Sequence, residues 1–401
     1  FLSQGKKMKE HKKKAQNSVA FYNNPDNRAI IYQVIAIAVI FLFTYFILHN
    51  MFINIENRGI NTGFGFLDSE AGFGIMQSLI PYTESDTYNR VFIIGILNTL
   101  LVSAIGIFFA TIIGLLIGIG RLSKNYMISK LSLIYVETFR NIPILLQILF
   151  WYNVVLAALP SPRQSLSYLD AFFLNNRGLY IPRPILESGF ISVIIAFFIA
   201  IAGIVYLKKW ATKKHDETGE EFPVFWVSLL ILISGPTLVY FLSGSPASLE
   251  YATLQGFNFA GGWTLTPELL ALAFALSIYP ATYIAEAVRA GIEAVPKGQK
   301  EAASALGLRE SVILKKVVLP QALRVIIPPV INQYLNLMKN SSLATAIGYP
   351  ELVTLFAGTA LNQVGQAIEI ILMTMAVYLS ISIFISIIMN YINAKIQIKE
   401  R

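Results

Sequence analysis

The residues of this chain that could do chemistry are polar groups within long apolar stretches. One pair, Glu137 and Arg140, interrupts the apolar stretch 131–159. An ionisable residue inside a membrane-spanning segment is costly, and it usually faces the bundle interior or a polar cavity. The two residues are three positions apart, so on a helix they can form a salt bridge with each other. Substrate contact and a structural ion pair are therefore both open interpretations.

A second polar cluster follows the double proline at 328 and 329. Its members are Lys339, Asn340, Ser341 and Ser342. The prolines free backbone carbonyls, which are tolerated at membrane depth where they line a cavity. Gln147 and Asn332 are weaker candidates, because amide side chains within spans more often bind helices to one another.

Catalytic chemistry has no motif in this sequence. The phosphate-binding pattern G-x-x-x-x-G-K-[ST] is absent, so the chain does not hydrolyse ATP itself. The histidines His11, His49 and His215 lack metal-ligand spacing, and there is no cysteine for a thiolate site. We expect no catalytic residue, no metal site and no cofactor bound by this chain.

Membrane-spanning helices must position these polar groups. Of the 401 residues, 55% are hydrophobic and only 13% are charged, whereas soluble domains carry about 25% charged residues. The net charge of +8 does not indicate nucleic acid, because the lysines cluster beside apolar stretches. The sequence predicts an all-α integral membrane protein with about eight spans. The predicted spans are 30–48, 91–120, 131–159, 188–207, 224–242, 266–290, 322–346 and 366–392.

The distribution of charge predicts which ends face the cytoplasm. The lysine-rich tail 1–28 is expected to be disordered and to stay inside by the positive-inside bias. The acidic, glycine-rich loop 49–90 is expected to be structured and outside, and eight spans place both termini inside. Loop 160–187 carries arginines yet falls outside in this topology, and 243–265 is a further outside loop. Segment 348–362 is expected to be a short helix plus loop.

A polar, charged segment separates two of the apolar stretches. Pro296 and Gly298 interrupt its helical pattern, and a short helix-favouring run follows. Gly307 is placed to stop that run in the left-handed conformation. A second amphipathic stretch, 308–319, is expected to end at the next proline. The pattern predicts a compact protrusion outside the membrane.

This segment resembles the EAA loop of ABC-importer permeases. Glu301-Ala302-Ala303, Gly307 and the Leu-Pro pair at 319–320 stand in the register of that motif, after RAGIEAVPKGQ. In that family the loop forms a coupling helix that docks on a cytoplasmic ATPase. The resemblance assigns this contact to the coupling loop 291–320. The residues it implicates are Pro296, Gly298, Gln299, Glu301, Ala302, Ala303, Gly307 and Leu308.

Three further blocks resemble the polar amino-acid branch of these permeases. The first block, Asn98-Thr99 with GLLIGIGRLSKN, resembles the start of the transport core. The second, YVETFRNIPILLQILFWY, resembles the E-x-F-R-G-T-P stretch of that core. The third, LMKNSSL, resembles the L-K-[DN]-[TS]-S-L stretch of the core. The additions outside the core resemble those of the larger membrane subunits of general L-amino-acid importers. The implied organisation is a basic tail, extra span and outside loop (1–90), the first part of the core (91–158), an insertion with two extra spans (159–262), and the second part of the core with the coupling loop (263–401).

The resemblance implies the type I importer fold and a non-catalytic permease in the bacterial inner membrane. Its implied partners are two copies of an ABC ATPase carrying ATP-Mg, a homologous second permease chain, a periplasmic amino-acid-binding protein and the lipid bilayer. The implied substrate passage is lined by Glu137, Arg140, Gln147, Lys339, Asn340, Ser341 and Ser342.

The implied substrates are polar L-amino acids, including glutamate, glutamine, aspartate and asparagine. Asn340 stands where importers of cationic amino acids commonly have aspartate, so a preference for positive side chains is not expected. The alternative is an ion-coupled carrier or channel without an ATPase. Such a protein needs a coupling-ion carboxylate near a broken helix, for which Glu137 is the only candidate.

Overall fold

A computed structural model describes residues 25–57, 59 and 62–396 of the chain. The helices are α1 (Pro25–Asn57), α2 (Tyr88–Arg121), α3 (Tyr126–Asn141), α4 (Ile144–Phe150), α5 (Phe190–Thr218), α6 (Val224–Leu242), α7 (Pro267–Glu293), α8 (Lys297–Ala305), α9 (Glu310–Ile313), α10 (Leu319–Asn340), α11 (Leu361–Val364) and α12 (Ala367–Ile396). Segments of 3-10 helix cover Gly65–Asp68, Pro162–Gln164 and Ser341–Ile347. Segments of π-helix cover Trp151–Leu156, Leu314–Val318 and Val353–Ala360. The lysines of the predicted tail, and His11, lie outside the described residues.

The number of spans agrees with the predicted membrane fold. Among the described residues, six helices are long and apolar enough to cross a membrane, namely α1, α2, α5, α6, α7 and α12. The bent pair formed by α3 with α4 and its π-helical continuation would make a seventh span. Helix α10 has 22 residues, a length of about 33 Å that suffices to cross a membrane. It is less apolar than those six helices. The predicted count of about eight is thus approximately met.

The predicted third span, 131–159, is not one continuous helix. The chain bends by 100° between Asn141 and Ile144. The proline at 143 excludes Ile142 from the helical region, and Ile142 accordingly has ψ 124°. Gln147 lies buried in the bend and donates to the carbonyl oxygens of Phe139 and Ile142, each at 2.9 Å. Its amide thereby satisfies carbonyls that the broken helix leaves without partners.

The loops on either side of the α5–α6 hairpin contain β-strands, a correction to the purely helical and loop structure expected there. The strands are β1 (Leu166–Tyr168), β2 (Phe172–Asn175), β3 (Gly178–Ile181), β4 (Arg183–Leu186), β5 (Ala247–Glu250), β6 (Thr253–Gln255), β7 (Asn258–Ala260) and β8 (Trp263–Leu265). They form an antiparallel sheet of order β1-β2-β3-β8 and the pairs β4-β5 and β6-β7. Strands of three or four residues are too short for their alternation to be recognised in the sequence.

The sheet is connected directly to a core helix through strand β8. Leu179 of β3 pairs with Leu265 of β8, and Thr266 then caps α7 by accepting a hydrogen bond from the backbone N–H of Leu269. Loop 62–87 covers the same end of the core, where Phe66 and Tyr88 pack with Phe356 and its neighbours. One end of the helical core therefore carries the sheet and this loop, and the other end carries the coupling loop.

Helices α2 and α7 form the centre of the core by an unusually close parallel contact. Three glycines of α2 each lie against one residue of α7: Gly106 against Leu276, Gly114 against Ile284, and Gly118 against Val288. Each glycine is separated from its partner by the same number of residues, so the two helices run parallel. A Cβ placed on Gly114 would lie 2.6 Å from the Cβ of Ile284, and one on Gly118 would lie 2.7 Å from the Cβ of Val288. Small residues at four-residue spacing let helix backbones approach in this way within a membrane.

Alanine at Gly114 should therefore destabilise the protein. The added methyl group has no room, and overpacking of this kind costs about 1–3 kcal/mol. Gly203→Ala is the matched control, because Gly203 lies within α5 with no atom within 4 Å of an added Cβ. The control should gain up to about 1 kcal/mol of helix propensity. Thermal unfolding of the two detergent-purified variants measures this, and equal shifts in Tm would contradict the close contact.

Candidate functional site

The coupling loop folds as the sequence predicts around its short helix. Helix α8 begins after Pro296 and ends at Ala305, and Gly307 two residues later has the left-handed φ of +72° expected of the stop. The Gly307 N–H donates to the carbonyl of Ser304 at 2.9 Å, and the Leu308 N–H reaches the carbonyl of Ala303 at 3.4 Å. These bonds close the helix end, which leaves the helix as a compact projection from the core.

The predicted coupling residues divide into one anchor and an exposed surface. Ala303 is only 5% exposed and belongs to the core cluster with Val295, Ile313 and Val318. The others, Pro296, Gly298, Gln299, Glu301, Ala302, Gly307 and Leu308, are exposed. Leu306 is 80% exposed as well, although the sequence analysis did not include it. An apolar side chain so exposed beside charged ones is typical of a contact surface.

The stretch after Gly307 differs from the prediction, because Pro320 does not end a helix. Helix α9 passes through the π-helical turn Leu314–Val318 into α10, and Pro320 occupies its first turn. Proline has no N–H to donate and crowds the preceding turn, which the wider π-turn accommodates. The coupling loop is therefore joined rigidly to α10.

Charged residues connect the two core helices at the base of the coupling loop. Arg121 at the end of α2 donates to Glu286 of α7 at 2.9 Å, and Arg289 pairs with both Glu286 and Glu293. Arg121, Glu286 and Arg289 are partly buried, with Arg121 only 14% exposed, whereas Glu293 is exposed. The network holds the ends of α2 and α7 together where the coupling loop begins.

Glu137 and Arg140 form an ion pair in the last turns of α3. The Arg140 guanidinium lies 3.0 Å from the Glu137 carboxylate, and Arg140 also interacts electrostatically with Glu286. The pair thus lies towards the charged network of the coupling end. Gln147, also predicted in the passage, is instead at the bend of the broken span.

The second predicted cluster only partly lines a cavity. A cavity of about 480 Å³ between α10 and α12 is lined by Lys339 and Ser342, with Tyr378, Thr374 and Ser382. Ser341 is fully buried and donates to the carbonyl of Met338 at 2.6 Å, and Asn340 is half-buried. The structure therefore separates Glu137 and Arg140 from the Lys339 cavity and does not assemble all predicted passage residues at one place.

A buried carboxylate that was not predicted from the sequence lies beside this cavity. Glu351 is fully buried and accepts hydrogen bonds from the backbone N–H groups of Val353 and Thr354 at 2.9 and 2.7 Å, and from the Tyr378 hydroxyl at 2.9 Å. Tyr378 lines the cavity. The signal available in the sequence was an acidic residue within an apolar segment, in the position to cap the following helix.

Asn98 and Thr99 hold the turn that carries Glu351. The Asn98 amide donates to the carbonyl of Pro350 at 2.8 Å, and the Thr99 hydroxyl accepts from the Leu352 N–H at 3.1 Å. Both side chains are fully buried. Within the described ranges, no group of three His, Asp or Glu side chains could hold a metal ion.

A core of apolar helices of membrane-spanning length with an exposed loop at one end fits a membrane permease, and the comparisons agree. Residues 220–398 match the family of binding-protein-dependent transport system inner membrane components. YhdX of Escherichia coli (strain K12), which carries the name of an amino-acid ABC transporter permease protein, is 52% identical over 98% of this chain and 100% of its own length.

Two other relatives also match over nearly their full length. The general L-amino acid transport system permease protein AapQ of Rhizobium johnstonii is 50% identical over 94% of each chain. The glutamate/glutamine/aspartate/asparagine transport system permease protein BztB of Rhodobacter capsulatus is 38% identical over 93% of this chain and 95% of its own.

The chain belongs to the permease subunits of ABC importers. It is a multi-pass inner-membrane protein and is not itself an enzyme, because ATP hydrolysis in this family belongs to partner ATPase subunits. A substrate-binding protein is the other partner that the family implies. The family assignment decides against the alternative of a carrier or channel without an ATPase.

The left-handed glycine generates a test of the coupling loop. Gly307→Ala should loosen the end of α8, because a Cβ in the left-handed conformation costs about 1–2 kcal/mol. Gly298→Ala is the control, since Gly298 has equal open space and no positive φ. A cost of this size raises the population of the opened form about five- to thirtyfold. Trypsin cleavage at Lys300 or Arg309 should therefore become faster by about that factor, and in Gly307→Ala only. Equal cleavage rates in both variants would contradict the role of Gly307.

Proposed function

We propose that this chain is the membrane-spanning subunit of an ATP-driven importer of polar L-amino acids. The observation that carries the proposal is the coupling loop, with its anchored Ala303 and its exposed surface of Glu301, Ala302 and Leu306. A short helix held rigidly by α7 and α10 can pass the closure of an ATPase pair on to the core. The names of the three relatives support amino acids as the substrate class.

The assembly that fits this role contains two ABC ATPase subunits, a homologous second permease chain and a periplasmic amino-acid-binding protein. ATP with Mg²⁺ binds to the ATPase subunits. AapQ and BztB are each named as the permease protein of a transport system, which supports such an assembly. The positive-inside bias favours both termini in the cytoplasm, with the coupling loop on that side and the strands on the other.

The proposed substrates are glutamate, glutamine, aspartate and asparagine. BztB, the relative with this range in its name, supports the choice. Lys339 lines the cavity between α10 and α12 and would favour an acidic side chain. Neighbouring Asn340 is neutral, and its amide both donates and accepts hydrogen bonds, so it suits acidic and amide side chains alike.

The proposed passage would then use two sets of residues in turn. Lys339 and Ser342 line the cavity, whereas Glu137 and Arg140 lie as an ion pair towards the coupling end. An arriving amino acid, with one ammonium and one carboxylate group, could replace both halves of that ion pair. Gln147 contributes by fixing the bend between the two sets.

Reversal of the charge at Glu301 tests the coupling role. Glu301→Lys should abolish amino-acid uptake and the co-purification of the ATPase, because the residue lies on the exposed surface of α8. Glu221→Lys is the matched control, an exposed charge reversal in the α5–α6 connection on the same proposed side. The control should keep normal uptake. Normal uptake and a bound ATPase in Glu301→Lys would refute coupling through this surface.

Asn340→Asp tests the substrate range. A new negative charge about 4 Å from a substrate charge changes the interaction by about 4 kcal/mol at an effective dielectric of 20. Uptake of glutamate and aspartate should therefore fall more than uptake of glutamine. Asn362→Asp, an exposed asparagine in α11, is the control. Competition uptake with the native binding protein measures the ratio, and an equal loss for all substrates would make Asn340 structural.

A further inference from the structure

A large cavity lies outside the passage described above, between the inserted strands and the core. Its volume is about 720 Å³, within the usual range for small-molecule sites. The walls come from four separate parts of the chain: the strands, loop 62–87, the end of the broken span and the start of α7. The residues that line the cavity include Met76, Tyr152, Arg177, Tyr180, Phe259 and Glu268.

Two opposite charges line this cavity. Glu268 lies in the first turn of α7 and accepts a hydrogen bond from the Tyr152 hydroxyl at 2.9 Å. Arg177 lies in the β2–β3 turn, where its backbone N–H donates to Asn175 at 2.8 Å. Asn175 is itself buried. Within the part of the chain that the structure describes, no salt bridge involves Arg177 or Glu268. Among the described residues neither charge has an ionic partner; Tyr152 holds the Glu268 carboxylate, whereas the Arg177 side chain is exposed and its backbone is held by Asn175.

The remaining wall of the cavity is aromatic and polar. Tyr180 donates to Asn258 at 3.0 Å, and its ring centroid lies 4.8 Å from that of Phe259. Burial raises the pKa of the Tyr180 hydroxyl, and the nearby charge of Arg177 opposes the shift. The hydroxyl therefore stays neutral and available as a hydrogen-bonding group at physiological pH. An aromatic wall beside polar groups can hold the carbon chain of a small polar molecule.

The cavity continues towards the core. A second cavity of about 220 Å³ shares Met76, Thr266 and Glu268 with the first and reaches Pro350 and Thr354. These last residues flank Glu351 on the turn that Asn98 and Thr99 hold. Glu268 thus lies where the outer cavity meets the inner one.

We infer that the outer cavity is a binding site for a free α-amino acid, built by the insertion at the outer end of the core. Arg177 would take the α-carboxylate, since its planar guanidinium matches a carboxylate with two hydrogen bonds. Glu268 would take the α-ammonium, while Asn176 and Asn258 would contact a polar side chain. The choice of amino acids as ligands rests on the proposed function, and the two-charge site itself rests on the geometry.

A single cysteine tests the site, because the native chain has none. Met76 is 89% exposed and lines both cavities, so Met76→Cys should react with a hydrophilic maleimide. In the assembled transporter in lipid nanodiscs, L-glutamine and L-glutamate should slow this reaction in a concentration-dependent way. Tyr168→Cys is the control cysteine, exposed on β1 away from the cavity. Its labelling should be unaffected.

The contributions of Arg177 and Glu268 are tested by substituting each of them in the Met76→Cys variant. Arg177→Gln and Glu268→Gln should each raise the half-protecting concentration about tenfold or more, as expected for a lost hydrogen bond to a charged group. Arg163→Gln removes an arginine of the same insertion, which stacks on Phe257, and should change nothing. L-Glutaminamide, which lacks the carboxylate, and glutaramate, which lacks the ammonium, should protect poorly.

The inference would be overturned by the absence of protection by any amino acid, by equal protection of Tyr168→Cys, or by unchanged protection in both charge variants. Protection by the binding protein alone would likewise show a protein contact surface in place of an amino-acid site. Uptake measured in parallel separates the two proposals: uptake without protection refutes this site and keeps the importer, whereas protection without uptake refutes the importer and keeps the site.

Discussion

The parallel contact between α2 and α7 is the constraint on which the rest of the molecule depends. It is made through glycine, so the two backbones approach more closely than any larger residue at 114 or 118 would permit. Within a bilayer such a contact is stabilised by van der Waals packing, because lipid offers no hydrophobic gain for helix association. At its 27 residues, α7 extends about 40 Å. The elements attached at its two ends are therefore connected through a single helix, which contains Pro280 in its interior.

At the coupling end, α10 packs closely against both α7 and α2. Gly291 near the end of α7 lies against α10, and a Cβ there would be 2.3 Å from the Cγ1 of Ile326. Thr111 of α2 and Tyr334 of α10 share a hydrogen bond of 2.7 Å. The coupling loop starts from α7 and returns through the π-turn into α10. A force on α8 consequently acts on a tight three-helix unit, and cores packed in this way respond by shifting as bodies more than by bending.

The helices, the coupling loop and its left-handed glycine could be predicted from the sequence because each has a local cause. Apolar runs set the spans, and Gly307 stops α8 through its own backbone. Pro143 was equally visible, yet its consequence was not, because a proline can kink a helix or break it. The 100° bend is bridged by Gln147, which donates to carbonyls on the other side of the break. Glu351 was missed for a similar reason, since its partner Tyr378 lies 27 residues away.

The inserted strands illustrate the same limit and explain why the outer cavity was invisible in the sequence. Strand β3 pairs with β8, whose residues follow the whole α5–α6 hairpin, and this pairing brings Arg177 to the side of α7 that carries Glu268. Neither residue stands in a recognisable motif. Strand β8 runs directly into α7 through the Thr266 cap, so the sheet is covalently continuous with that helix. A ligand held between Arg177 and Glu268 would therefore contact the helix whose other end carries the coupling loop.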